Sequence, residues 1–377
     1  MKVKLRDVSN IIMGQSPDSS TYNTEKIGLP FFQGNADFGE LNPIAKTWCS
    51  APIKIAYKNY ILISVRAPIG ALNIAAETCC IGRGLAAFDV NNKMCTQKYL
   101  WYLLKAKKNE LLSKGTGSTF KAISKNILSE MEFNIPPVRE QELCTKVLDV
   151  VFCLIRLKKE QLDKLDLLVK SRFIEMFGDP QDNTNKYLLA SIIDVSTKVT
   201  DGEHGTVPRV EIGRLYLMAR NITKNNNLDL NEVSYIPEEY HKRIYERCNP
   251  EIGDVLLVCV GATIGKATIV PEMDEFSIAR SVALIKPDKR KIKSNYLLYS
   301  ILSNNVQCQI ANCSHAAAQA GLYTNMIKNL KIILPPIDIQ NQFADFVAKV
   351  DKSKLAIQQS LDELETLKKS LMQQYFG

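Results

Sequence analysis

One segment of the sequence occurs twice, and this duplication limits what the chain can fold into more than any other feature. Residues 136–178 align without a gap with residues 335–377, and 12 of the 43 paired positions are identical. Two unrelated segments of ordinary composition would share about two or three residues over this length. Both copies begin with Pro-Pro and end with Phe-Gly. The chain is therefore predicted to consist of two modules, each followed by one copy of the segment.

Each copy is predicted to form one long helix. Neither Gly nor Pro occurs in residues 138–177 or 337–376, and the Pro-Pro pair before each stretch suits a helix start. A helix of about 35 residues would be roughly 50 Å long. Apolar residues recur at steps of three and four, which is typical of an amphipathic helix: Val147, Val151, Leu154, Leu162, Leu165 and Val169 in the first copy, and Phe343, Phe346, Val350, Ile357, Leu361, Leu364, Leu367 and Leu371 in the second.

Because one such helix cannot bury its own apolar stripe, the two copies are predicted to pair as an antiparallel coiled coil. The alternative is a pair of independent surface helices, one on each module. The length of the helices favours pairing, since they far exceed an ordinary globular helix. Gly178, Asp179 and Pro180 follow the first helix, and residues 179–186 are predicted to form a linker.

The segments before the two helices are predicted to be similar mixed modules of strands and helices. We call residues 1–135 the first module and residues 187–334 the second module. Each alternates short β-like runs with turns, and each then has one helical stretch, at 97–112 and at 294–310. The fold class is therefore α+β: two similar mixed α/β modules separated by two long helices, related by a pseudo-two-fold internal repeat. The clearest strand-like runs are residues 60–65, 85–90, 254–260 and 281–285.

Charge and composition narrow the possible partners. The 377-residue chain carries 48 Lys and Arg against 40 Asp and Glu, and the first module alone holds 17 basic and 10 acidic residues. A basic module can bind a polyanion such as nucleic acid. No run reaches 18 apolar residues and none follows the basic N-terminus, so neither a membrane span nor a signal peptide is predicted. Ten cysteines without a tight spacing pattern indicate reduced thiols and a cytoplasmic protein.

The loops of both modules are rich in residues that suit DNA. Gly, Ser and Thr offer donors to phosphates, whereas Arg, Asn and Gln can form paired hydrogen bonds with base edges. Ordinary turn chemistry is the alternative for any single loop residue. We expect base contacts from Arg66, Arg83, Arg220, Asn221 and Arg280. The full set of candidate DNA-binding residues is Gln15, Ser16, Gln33, Asn35, Arg66, Arg83, Thr116, Ser118, Lys121, His204, Arg220, Asn221, Lys266, Arg280, His315 and Gln319.

The sequence offers no clear catalytic or metal site. Residues 261–267 are one residue short of a phosphate-binding loop and lack its terminal hydroxyl. Cys308, Cys313 and His315 lie close together but lack the paired spacing of a zinc site. These features favour a binding protein over an enzyme. Two alternatives stay open: a DNA methyltransferase or nuclease with an unrecognised catalytic site, and a protein-binding scaffold.

The order of module, helix, module and helix resembles the specificity subunit of type I restriction–modification enzymes. The resemblance covers essentially the whole chain and is strongest in the two helix copies. It rests on residues 135–141, on their counterparts 334–340, and on the twin Phe-Gly ends at 177–178 and 376–377. One departure is Ile339, which stands where the first copy has Glu140.

The resemblance implies two target-recognition domains, each contacting one half of a split double-stranded DNA sequence. It implies that the paired helices set the gap between the halves and dock two modification (methyltransferase) subunits. S-adenosylmethionine would bind those subunits, and restriction subunits would supply translocation and cleavage with ATP and Mg²⁺. No cofactor or metal is expected in this chain. The candidate docking residues on the helices are Leu154, Leu165, Val169, Phe177, Leu361, Leu364, Leu371 and Phe376.

Overall fold

The computed structural model describes residues 1–115, 121–178, 187–316 and 321–377. The described chain forms two compact units, and each unit contains parts of both long helices. The first unit comprises residues 1–158 and 360–377, and the second comprises residues 159–359. This division differs from the sequence-based domain boundaries at 135/136 and 334/335, because each module packs against the adjoining half of one helix and the opposite half of the other.

The first module begins with a short strand and ends with its partner strand, directly before the long helix. Strand β1 (Lys2–Lys4) pairs antiparallel with β11 (Glu132–Asn134), with Lys2 opposite Asn134. The strands of this module are β1 Lys2–Lys4, β2 Ser9–Met13, β3 Tyr22–Asn23, β4 Leu29–Phe32, β5 Trp48–Cys49, β6 Ile55–Ala56, β7 Ile61–Ser64, β8 Leu72–Ile74, β9 Cys79–Ile81, β10 Leu85–Val90 and β11 Glu132–Asn134. Its helices are α1 Leu5–Val8, α2 Gln97–Ala106, α3 Lys108–Lys114 and α4 Lys125–Ser129.

The second module repeats this plan. Its first strand, β12 (Leu188–Ser191), pairs antiparallel with β20 (Lys331–Leu334), with Leu188 opposite Leu334. Its strands are β12 Leu188–Ser191, β13 Ser196–Asp201, β14 Arg214–Leu217, β15 Ser234–Ile236, β16 Val255–Val258, β17 Ala267–Ile269, β18 Phe276–Ile278, β19 Val282–Pro287 and β20 Lys331–Leu334. Its helices are α6 Glu238–Cys248, α7 Ser294–Leu302, α8 Asn304–Ala316 and α9 Thr324–Asn329.

The central sheets of the two modules have the same topology. The strand order is β2-β10-β7-β8 in the first module and β13-β19-β16-β17 in the second. Ala86 lies opposite Met13 and Ile63, and Ala283 lies opposite Asp201 and Leu257 in the same way. The second sheets differ: β3-β5-β4-β9-β6 in the first module, and β15-β14-β18 in the second. The predicted internal repeat is therefore present, with its main variation in the second sheet.

The long helices are α5 Val138–Phe177 and α10 Ile337–Phe376. Their bounds confirm the sequence prediction, since both begin directly after Pro-Pro and end directly before Gly. In the second unit the pairing is antiparallel, because Asp166 of α5 meets Lys354 of α10 at 2.5 Å whereas Phe177 meets Phe343 at a ring distance of 5.5 Å. The helix pair is therefore part of the hydrophobic core of the unit.

The first unit contains the complementary halves of the same helices. Leu148 and Phe152 of α5 share one hydrophobic cluster with Leu371 and Phe376 of α10 and with helix α2 of the module. The ammonium group of Lys368 lies 5.6 Å from the ring centre of Phe152. Each module is thus held against an antiparallel pair of helix halves.

Candidate DNA interface and helix joints

In the first module the predicted loops converge at one edge of the central sheet. The amide of Gly14 donates to the carbonyl of Leu85 at 2.9 Å, and the amide of Arg83 donates to Ser16 Oγ at 3.3 Å. A Cβ on Gly14 would lie only 2.1 Å from the carbonyl oxygen of Gly82. The loop after β2 and the loop before β10 therefore need glycine where their backbones touch.

Two further predicted positions lie at the same edge. The amide of Gly84 donates to the carbonyl of Gln33 at 3.1 Å, which places the loop after β4 beside Arg83. Arg66 forms an isolated antiparallel bridge with Ala122, the neighbour of Lys121. Gln15, Gln33, Arg66, Arg83 and Lys121 are exposed, whereas Ser16 and Asn35 are half-buried. The structure thus brings together residues that are widely separated in sequence.

The two arginines at this edge are available to a ligand. Among the described residues, the guanidinium groups of Arg66 and Arg83 form neither an ion pair nor a hydrogen bond. Unpaired guanidinium groups on exposed loops suit phosphate oxygens and the acceptor pair of guanine. The edge can therefore bind a polyanion without first breaking an internal contact.

The second module has a cleft at the matching edge. His204 and Arg280 are exposed there, and the amide of Arg280 donates to the carbonyl of Glu203 at 3.1 Å. His204 Nε2 lies 2.7 Å from Asp201 Oδ2. Burial raises the pKa of the Cys259 thiol to about 12, so this sulfur stays protonated and is a poor nucleophile. The cleft is lined by Asp201, His204, Cys259, Val260, Arg280, Gly321, Leu322 and Tyr323.

Asn221 has a structural role that the sequence did not indicate. It is 2% exposed; its Oδ1 accepts from the amide of Met218 at 3.0 Å, and its Nδ2 donates to the carbonyls of Asp229 and Glu232. An asparagine whose amide is fully engaged inside a turn cannot reach a base, so Asn221 is removed from the candidates. Its neighbour Arg220 is exposed and donates to Ser234 Oγ at 2.9 Å.

Lys266 ends the loop that resembles a phosphate-binding sequence. It is half-buried and directly precedes strand β17. A phosphate-binding loop leads into a helix, whose N-terminus binds the phosphates. A strand at this position therefore excludes that kind of site. Four predicted candidates lie outside the described residues: Thr116, Ser118 and Gln319 entirely, and His315 in its side chain. The predicted linker 179–186 also lies outside them.

The candidate docking residues are mostly buried within the chain itself. Val169 and Phe177 are 0% exposed, Phe376 is 4% exposed and Leu361 is 6% exposed. Leu165, Leu364 and Leu371 are half-buried, and only Leu154 of the eight is exposed. Most of these side chains thus hold helix to module and leave little apolar surface for another subunit.

Each module is attached to the two long helices through a buried glutamine of one helix and a phenylalanine of the other. We call these attachments the helix joints. Gln141, fully buried, accepts from the amide of Thr96 at 2.8 Å and donates to the carbonyls of Met94 and Pro136. Gln340 accepts from the amide of Lys293 at 2.9 Å and donates to two carbonyls in the same manner. The sequence repeat contained this signal, because the glutamine is among its identical positions.

Aromatic rings complete both joints. Phe376 lies 5.1 Å from Tyr99 in the first unit, and Phe177 lies 4.7 Å from Tyr296 in the second. Burial raises the pKa of both tyrosine hydroxyls well above the usual value, so both stay neutral. The Tyr296 hydroxyl donates to the carbonyl of Ile333 at 2.6 Å.

Helix α5 carries an exposed apolar stripe, of which only Leu154 was among the predicted docking residues. Its residues follow steps of four and three: Leu143, Val147, Val150, Leu154 and Leu157, with exposed fractions from 39% to 59%. The equivalent positions of α10 are mostly polar or small: Gln342, Phe346, Lys349, Ser353 and Ala356. The stripe therefore distinguishes α5 from α10.

Three further observations concern metal binding, membrane-spanning helices and the cysteines. Among the described residues, no group of three or more His, Cys, Asp or Glu side chains is placed to hold a metal ion. Within the same residues, every helix is too short or too polar to cross a membrane. The ten cysteines are free thiols.

The chain thus has a duplicated module with polar loops at one sheet edge, and both modules are joined to a pair of long helices. Comparison with known proteins identifies the family that has this architecture. The family model described as "Type I restriction modification DNA specificity domain" matches residues 1–167 and 197–366. The chain belongs to this family.

Individual relatives agree with that assignment. The type I restriction enzyme EcoBI specificity subunit of Escherichia coli is 21% identical over 420 aligned residues, which cover 100% of this chain and 85% of that subunit. A protein of Methanocaldococcus jannaschii, named for the type I restriction enzyme MjaX specificity subunit, is 40% identical over 156 residues. That match spans 41% of this chain and only 37% of the relative.

A solved structure shares the fold. The S subunit of a type I restriction–modification system from M. genitalium superimposes with a TM-score of 0.59 at 14% identity, covering 100% of this chain and 96% of that one. At this identity the likeness supports the two-module architecture alone.

Proposed function

We propose that this chain is the DNA-recognition subunit of a type I restriction–modification complex. Each module contacts one half of a bipartite sequence in double-stranded DNA. The observation that carries the proposal is the matched pair Arg83 and Arg280. Both are exposed, both stand two residues before the same strand of the shared sheet, and neither guanidinium is paired with another described residue. An arginine in this setting can form two hydrogen bonds with guanine or one with phosphate.

The helices give the two half-sites a fixed separation. Each helix has 40 residues and is therefore about 60 Å long. This is about 1.7 turns of B-DNA, at ~34–36 Å a turn. Bases between the two half-sites would then be bridged without being contacted.

We further propose the partners that membership of this family implies. Two modification subunits dock on the helices and carry S-adenosylmethionine, whereas restriction subunits carry ATP and Mg²⁺. The exposed stripe of Leu143, Val147, Val150, Leu154 and Leu157 suits a partner helix with the same spacing. This chain supplies recognition and no catalysis, and it works in the cytoplasm.

The main experiment is methylome sequencing. The chain is expressed with its modification subunits in a host without other adenine methylation, and methylated motifs are read from the genome. We expect two short specified sequences separated by a fixed number of unspecified bases. A continuous motif would contradict the proposal, as would methyl transfer or DNA cleavage by the purified chain alone with methyl donor or metal.

The spacing role is tested by shortening the helices. Deleting one heptad from α5 alone should break the pairing, whereas deleting the equivalent seven residues from both helices should shorten the preferred gap or abolish activity. An unchanged gap after the double deletion would show that the helices do not set it.

The docking surface is tested by a matched pair of variants. Leu154→Lys places a charge on the apolar stripe, and Ser353→Lys places the same charge at the equivalent position of α10. Both positions are exposed, so the fold should change by less than about 0.5 kcal/mol. We expect Leu154→Lys alone to lose a modification subunit in native mass spectrometry. Equal retention by both variants would exclude the stripe as the docking surface.

A further inference from the structure

One position at the candidate DNA edge has opposite chemistry in the two modules. Backbone hydrogen bonds identify the match. Val65 donates to the carbonyl of Gly84 at 2.9 Å, and Cys259 donates to the carbonyl of Ser281 at 2.9 Å. The next residue in each case is Arg66 in the first module and Val260 in the second.

Contacts on the other side of the strand confirm this register. Arg66 bridges antiparallel to Ala122, and Val260 bridges antiparallel to Gly321. Each loop then closes on a glycine with positive φ, at Gly70 and Gly265. The second loop is one residue longer. Arg66 and Val260 therefore occupy the same place on the same frame.

The surroundings of Val260 argue against a packing role. Its side chain is 36% exposed and belongs to none of the buried hydrophobic clusters of the module. It lines the cleft together with the charged or polar side chains of Asp201, His204 and Arg280 and with Leu322 and Tyr323. A partly exposed apolar side chain in such a cleft can contact an apolar group on a ligand.

We infer that this matched position determines specificity in both half-sites: Arg66 selects guanine in one, and Val260 selects thymine in the other. The inference rests on the proposed function, since it assumes that the edge faces the major groove. There, guanine presents the O6 and N7 acceptors that a guanidinium can bind together. Thymine alone presents a C5-methyl group, which an exposed apolar side chain can contact.

The test exchanges the two side chains and reads the methylated motif of the whole complex. Val260→Arg should replace a preference for thymine by one for guanine at a single position of one half-site. Arg66→Val should remove a guanine preference, by roughly tenfold or more, at a single position of the other half-site. Val260→Ala, a smaller change that keeps the loop neutral, should weaken the thymine preference without creating a new one.

Val210→Arg is the matched control. Val210 has the same exposed fraction, 36%, in the same module, but lies beside Tyr235 and outside the cleft. Adding an arginine there should leave every base preference unchanged.

Three outcomes would overturn the inference: an unchanged motif for Val260→Arg, an equal loss at all positions, or the same change from Val210→Arg. If the unmodified complex gives a bipartite motif and these variants do not alter one position each, this inference alone fails. If the unmodified complex gives no bipartite motif, the proposed function itself fails.

Discussion

The helix joints and the loop edges both occur twice in the chain, but the joints have kept their side chains more completely than the edges have. Gln141 and Gln340 make the same three kinds of hydrogen bond, and Phe177 and Phe376 both pack on a tyrosine of a module helix. At these points the two copies have one task, which is to hold a module on a helix.

The loop edges share backbone contacts and the matched arginines Arg83 and Arg280, but they differ at other side chains. Gln15 and Glu203 follow matched glycines and donate to matched carbonyls, at 3.0 and 3.1 Å, but only one of them is charged. The backbone arrangement of the edge is thus common to both modules, whereas several of its side chains differ. A fixed frame with variable loops allows two modules to recognise different sequences at the same geometry.

The largest expected loss of stability is at the phenylalanines of the two helix joints. Phe177→Ala and Phe376→Ala should each lower the free energy of unfolding by about 3–5 kcal/mol, with Phe177→Ala at the upper end. The reason is that Phe177 contacts Phe173, Tyr296 and Phe343, whereas Phe376 has Tyr99 and Tyr375 near it.

Thermal unfolding checks this, with a drop in Tm on the order of 10 °C. Leu at either position should restore much of the loss, because it refills the space. A larger drop for Phe376→Ala would reverse the ranking of the two joints.

The next largest loss of stability is expected at the buried glutamines of the same joints. Gln141→Met and Gln340→Met keep the side-chain volume but leave one amide and two carbonyls without a partner. Each should cost about 2–4 kcal/mol, and the two costs should be similar because the bonds are similar. Gln161→Met on the exposed face of α5 should change stability by less than about 0.5 kcal/mol. A negligible effect at one joint alone would show that the two copies have diverged there.

The loop edges should respond in binding and not in stability. Arg83→Ala and Arg280→Ala should each weaken DNA binding by about 1–3 kcal/mol and relax one half-site while leaving the other intact. Arg290→Ala is the control, since Arg290 is 87% exposed in its side chain, pairs with Asp288 and follows the opposite end of β19 from Arg280. Competition binding with altered half-sites measures the effect. A uniform loss over all sequences would assign the arginine to phosphate.

The sequence predicted best the features that depend on local pattern. Helices α5 and α10 have the predicted bounds because a stretch free of Gly and Pro lies between Pro-Pro and Gly. Strand β10 also has its predicted bounds, since six β-like residues lie between turns. The predicted helix 97–112 is instead two helices, α2 and α3, which meet at Lys107.

Features that depend on packing were not predictable. Asparagine is a residue type that can contact bases, and only the fold shows that the side-chain amide of Asn221 lies inside a turn. Leu154 and Val169 belong to the same apolar pattern of α5, yet one is exposed and the other is fully buried. Apolar periodicity indicates a helix with apolar faces, and tertiary contacts decide which face the chain itself covers.

The smallest expected effect tests whether charge alone separates the two edges. Glu203 is the counterpart of Gln15; it accepts from the amide of Gly205 at 2.9 Å and lies 3.7 Å from Arg243. Glu203→Gln keeps an acceptor for that amide and removes a negative charge that opposes DNA phosphates. We expect DNA binding to tighten by about two- to fivefold at low salt, equally for all sequences, and less at high salt because salt screens charge interactions that act through solvent.

Gln15→Glu is the reverse exchange and should weaken binding by a similar factor. Titrations of the complex with DNA at two ionic strengths measure both. If either change altered the preferred bases, this position would contact a base edge, and the difference between the modules here would concern specificity as well as affinity. If neither change depended on salt, the charge at this position would not face the phosphates, and the difference would belong to the internal pairing with Arg243.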